Sequence, residues 1–64
     1  MKHPILVYRD EQRRYARVAR WHYIRALNLS GDKAKTHHNA CEHYKLKAMA
    51  ALAMMQLEIS NARD

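Results

Sequence analysis

The 64-residue chain has one cysteine, one proline, one glycine and only half as many acidic as basic side chains. Each shortage excludes something. Cys41 has no second cysteine to pair with, so no disulfide can staple the chain, and a lone thiol fits a reducing compartment, here the cytoplasm. Pro4 and Gly31 allow one early break and one central break, with no low-complexity linker. Apolar runs stay well below the ~20 residues of a membrane span. The opening "MKHPILVY" offers one lysine and a four-residue apolar run, too little for a signal-peptide core. Catalytic motifs are missing as well. There is no glycine-rich phosphate loop, no serine elbow and no pair of carboxylates in a pocket-forming context. A chain this short also has little interior for a ligand cavity. The expectation is a non-enzymatic protein without cofactor, membrane association or small-molecule substrate.

What is present is positive charge. Twelve Lys and Arg stand against six Asp and Glu, a formal charge of +6 with five histidines in addition. Such a balance favours association with phosphate polymers, anionic surfaces or acidic proteins. Size sets a second demand. A domain of about 60 residues buries only ~60% of the surface its unfolded chain exposes, so further burial from outside the chain is anticipated.

The pattern predicts an all-α fold, an antiparallel helical hairpin preceded by a short extended segment, as a single domain. Residues 1–8 are read as the lead-in, because Pro4 biases His3 away from helix and the β-branched Ile5 and Val7 tolerate extension. Helix 1 is expected over about 10–29, with Asp10 and Glu11 in its first turn facing the positive end of the helix dipole. "NLSGD" stops it: Gly31 suits a left-handed position, and Ser30 or Asp32 can cap the next start. Helix 2 is expected over about 33–60.

Spacing suggests which faces meet. On helix 1, Tyr8, Tyr15, Ala19, His22, Tyr23, Ala26 and Leu29 recur in steps of three and four. Helix 2 answers with Ala34, His37, Cys41, Tyr44, Ala48, Leu52, Met55 and Ile59. A second apolar stripe, Leu46, Ala50, Ala53, Met54 and Leu57, opens on the opposite side of helix 2, where one neighbouring helix cannot reach. In "AMAALAMMQL", positions 48–57, nine of ten residues are apolar. At 1.5 Å per residue, helix 2 would be ~42 Å long and helix 1 ~30 Å, leaving this segment to project. Its covering is expected from "ILVY" folded back and from a second copy of the chain. The five stripe residues are therefore assigned to dimerisation into a four-helix bundle.

The outward side of helix 1 carries the binding candidates. Arg9, Arg13, Arg17 and Arg20 form a stripe flanked by Arg14 and Arg25, with no lysine between Arg9 and Leu29. Guanidinium pairs bidentately with phosphate or carboxylate and stacks on rings, which an ammonium does not. Trp21 and Ile24 lie within the same side, where they could stack on bases or anchor an interface. The plainer reading is a solvated face with Trp21 packed on a second subunit, but the acidic residues available to neutralise the stripe are few. Two functions follow: a dimer offering this face to DNA or RNA, or a module that docks on an acidic surface of a larger protein to inhibit or modulate it. A ribbon-helix-helix arrangement built on "HPILVYR" is a subsidiary form of the first. In "HHNACEHY", His37 with Cys41 and His38 with Glu42 are spaced for chelation, but a closed site lacks further ligands. No metal is assigned there.

Overall fold

Helix begins at the chain's one proline. In the computed structural model, which describes residues 3–63, α1 spans Pro4–Leu27 and α2 spans Gly31–Arg63. His3 is extended, at φ −60° and ψ 140°, as the residue before proline should be, while Pro4 occupies the first turn. Proline lacks the N–H that would be unsatisfied there, and the His3 Nδ1 accepts the Ile5 N–H at 3.1 Å. The start is therefore well capped, and the modest helix penalty of Ile5 and Val7 does not break it.

The extended lead-in is thus corrected: residues 4–8 are the first turns of α1, and residues 1 and 2 lie outside the described residues. Three consequences follow. Asp10 and Glu11 fall beyond the first turn, so the anticipated dipole pairing does not arise. "ILVY" does not fold back, being part of the rod. The ribbon-helix-helix form also loses its ribbon, because no strand occurs among the described residues.

α1 ends two residues earlier than anticipated, at Leu27. Asn28 caps it, its backbone N–H reaching the Arg25 carbonyl at 3.1 Å and its side-chain Nδ2 donating to the Ile24 carbonyl at 3.1 Å. Gly31 then takes φ 65°, a left-handed value that side chains resist, and turns the chain into α2. With so short a connection the helices lie antiparallel. Tyr15 stacks on Tyr44 and His22 meets His37, pairs whose numbers add to 59.

Packing follows a strict three-four alternation. On α1 the seam positions are Ile5, Tyr8, Gln12, Tyr15, Ala19, His22 and Ala26, and on α2 Ala34, His37, Cys41, Tyr44, Ala48, Ala51, Met55 and Glu58; Asp10, Glu11, Val18 and Ala40 are partly shielded as well, outside that alternation. Such regular spacing is a coiled-coil seam. It corrects three expectations. Ala51, not Leu52, continues the seam after Ala48, and Glu58, not Ile59, follows Met55, since a step of three completes each heptad. Tyr23 stands 51% exposed beside the seam, which His22 occupies instead.

The core itself is thin. Only Ala19, Ala26, Cys41, Ala48 and Ala51 are buried among the described residues, and no large side chain is fully enclosed. The hairpin measures 50 × 18 × 13 Å, with a radius of gyration of 14.8 Å where a compact chain of this length has about 11 Å. Its accessible surface is 5210 Å², whereas a compact monomer of this mass exposes roughly 4,300 Å². α2 outruns α1, as anticipated, but by less of "AMAALAMMQL". Because α1 starts at Pro4, the register sets that residue near Met55, and the projection begins after it.

Candidate nucleic-acid interface

Among the described residues α1 packs only against α2, which leaves most of its far side exposed. At 100° per residue, Arg9, Arg20, Arg13, Ile24, Arg17, Trp21, Arg14 and Arg25 fall in that order across an arc of about 160°, centred opposite the seam. All eight are exposed. The face has arginines at both edges and Ile24, Arg17 and Trp21 toward its middle, where Asp10 also projects near the start of the helix.

Neutralisation is slight. Arg9 lies 3.7 Å from Asp10, a pair with both side chains largely in solvent and so of small energetic consequence. The Arg14 guanidinium sits 5.5 Å from the Tyr15 ring centre, and that of Arg25 sits 5.4 Å from Trp21. Both are cation–π contacts, which leave the positive charge in place. Among the described residues, no ion pair or ring contact engages Arg13, Arg17 or Arg20.

Trp21 is half in solvent, at 53% exposure, and half held. Its ring meets His22 and His37 edge-on, with centres 4.9 and 5.8 Å apart. Behind it the two imidazoles face each other across the hairpin, Nδ1 to Nδ1 at 2.9 Å, and His22 stacks in parallel on Tyr44 at 5.7 Å. One ring must donate and the other accept. This His–His link was not foreseen. Its signal lay in the seam, since both histidines hold seam positions and are equidistant from the turn. The two histidines hold the Trp21 ring and the Arg25 guanidinium lies over it, while about half of the side chain stays in solvent.

No family model, curated protein or solved structure matches the sequence.

His37 turns toward His22, Cys41 is buried in the seam, and His38 and Glu42 stand exposed, with Glu42 3.4 Å from Lys45. No three His, Cys, Asp or Glu side chains converge among the described residues. An open groove of about 410 Å³ does run along one flank, floored by Ala16, Ala19, Cys41 and Ala48 and edged by Tyr23 and Met49. Its charged lining, Arg20 and Lys45, is cationic only. No described helix is long and apolar enough to cross a membrane.

The residues assigned to dimerisation, Leu46, Ala50, Ala53, Met54 and Leu57, are all exposed, Leu46 at 64% and Leu57 at 51%. Leu46, Ala53 and Leu57 lie on the side of α2 away from α1, with the exposed Glu42 one turn before Leu46, whereas Ala50 and Met54 border a groove that Tyr8, Glu11 and Tyr15 of α1 also line.

Proposed function

We propose that the chain is a small non-enzymatic homodimer that binds nucleic acid through the arginine-bearing outer face of α1. The observation carrying this reading is the set Arg13, Arg17 and Arg20, exposed on one side of a helix without a carboxylate partner among the described residues. Phosphate contacts supply the affinity, and each guanidinium releases a condensed counterion when it engages. Trp21 and Ile24 sit between the arginine edges, where a base or groove floor would meet them. Trp21 stacks on unpaired bases, and its seating on the histidine pair limits the ordering it must undergo.

Dimerisation belongs to this reading because the hairpin alone leaves its far end wet. Of the twelve large apolar side chains exposed among the described residues, eight lie on residues 6–7 and 46–59, from the middle of the hairpin to its open end. The excess of about 900 Å² over a compact monomer is close to the roughly 800 Å² that each partner buries in a standard interface.

Binding of fluorescent random-sequence oligonucleotides, single-stranded and duplex, tests the proposal. Affinity should fall steeply as salt is raised from 20 to 200 mM. Absence of binding at 20 mM salt overturns it, and capture by an acidic protein under the same conditions would replace nucleic acid with a protein surface as the target.

A further inference from the structure

Continuing round α1 from Trp21, the circumference passes Arg17, Arg13 and Arg20 and then reaches Ala16 and Tyr23, at about 140° and 160° from the tryptophan. The arginine face thus runs into one flank of the hairpin. There the open groove of about 410 Å³ begins, its floor made by Ala16 and the buried Ala19, Cys41 and Ala48. Four small side chains keep the floor low, while the larger Tyr23 and Met49 rise beside it, 51% and 63% exposed. Its volume lies at the low end of small-ligand sites, roughly 300–1,000 Å³.

Chemistry narrows the occupant. The floor offers carbon and the rim offers charge of one sign, Arg20 and Lys45, so the groove suits an apolar plate joined to an anion. Lys45 shares an exposed pair with Glu42 at 3.4 Å, whereas no ion pair engages Arg20 among the described residues. Arg20 is therefore the cation best placed to hold the anion. A nucleotide has this form through its covalent structure, a flat ring one sugar away from a phosphate. Tyr23 supplies a half-exposed ring for the base to stack on, and stacking of this kind accepts any base. The second groove, of about 230 Å³ on the other flank, does not repeat the arrangement: Glu11 lines it, and its rings, Tyr8 and Tyr15, are partly shielded in the seam.

We propose that this groove is a base-binding site and that the nucleic acid it serves is single-stranded. One unpaired base lies on the alanine floor against Tyr23, with its phosphate at Arg20. The strand then crosses Arg13 and Arg17, and a base further along stacks on Trp21. The inference rests on the nucleic-acid reading above and narrows it to single strands. Bases of a duplex are held in the stack and reach such a groove only by being extruded, at the expense of their pairing and stacking.

Anisotropy titrations of the full chain with fluorescent oligodeoxythymidine, an abasic strand of the same length and a duplex test the site. Tyr23→Ala removes the stacking ring and Ala16→Leu fills the mouth of the groove; both positions are exposed, so helix content by circular dichroism should hold. Each should weaken oligodeoxythymidine binding about tenfold or more. The salt slope and the affinities for the abasic strand and the duplex should stay unchanged, because no phosphate contact is lost. On the original chain, irradiation of a strand carrying 5-iodouracil should form cross-links at Tyr23, located by mass spectrometry. If the chain binds neither strand nor duplex at 20 mM salt, the nucleic-acid reading falls and this site with it. If it binds but either variant keeps the original affinity or weakens all three ligands alike, the groove is overturned and the arginine face stands. Cross-links at Trp21 and none at Tyr23 have the same consequence.

Discussion

Replacing Arg13, Arg17 and Arg20 together by alanine removes three exposed cations that have no ion pair or ring contact among the described residues, although Arg20 also borders the groove between the helices. Alanine is the best helix former, and the three positions are exposed, so helix content and thermal stability should be unchanged. The consequence for binding can be worked from the geometry. Arg13 to Arg25 spans about 18 Å of helix axis, room for about five phosphates of one duplex strand at 3.4 Å each. Each phosphate contact contributes about −0.9 to the slope of log affinity against log salt on duplex, and about −0.7 on single strands. Loss of three should flatten the slope by about 2.7 on duplex and about 2.1 on single strands, for each copy engaged. At 0.1 M salt that corresponds to an affinity drop of about 500-fold on duplex. Fluorescence anisotropy titrations at five salt concentrations, with the original chain and the triple variant in parallel, measure both quantities. An unchanged slope would refute the assignment of these arginines to phosphate, whatever the change in affinity at any single salt concentration.

Three further outcomes follow from the same contacts. Trp21→Ala should weaken single-strand binding roughly ten- to hundredfold, the worth of one stacked base, and change duplex binding less; the lone tryptophan's fluorescence should quench on adding single strands to the original chain. His37→Ala removes the imidazole link and an edge contact to Trp21, and should lower stability by about 1 kcal/mol, read as a melting shift of about 4–8 °C. Gly31→Ala should cost about 1–2 kcal/mol in urea unfolding from left-handed strain alone, because a Cβ placed there meets nothing within 4 Å; a loss well above that would point to a contact that the turn does not contain.

The sequence made the two helices, the turn at Asn28–Ser30 and most of the seam legible, because three-four spacing is a local property of each segment. Its errors have physical causes. Ile5 and Val7 suggested extension on their own propensity, but a capped proline start and an uninterrupted continuation into good helix formers outweigh two β-branched residues. A step of four after Ala48 leads to Leu52, but the heptad requires a step of three there and turns Ala51 toward α1. The register sets Tyr8 opposite Ala51, and both line one groove, so a ring on one helix compensates for a methyl on the other. Tyr23 failed similarly, yielding the seam to its neighbour His22. The arginine arc could be read directly from periodicity. The His22–His37 link could not, since it needs the register between helices, which only the turn supplies.

The width of the arginine arc bears on the choice between nucleic acid and an acidic protein. Against a flat surface, arginines some 160° apart lie at the two sides of the helix and must bend their long side chains forward to engage together. A major groove about 12 Å wide accepts a helix and presents phosphates on both walls, so that both edges engage at once while Ile24, Arg17 and Trp21 face the floor. A single strand wrapped across the helix achieves the same with its phosphates on the edges and its bases over Trp21. Only a concave acidic partner could match this, and it would need carboxylates on two opposing walls at helix-diameter separation. Phosphate polymers have that arrangement as a consequence of their covalent structure, which is why the nucleic-acid reading demands less of the partner.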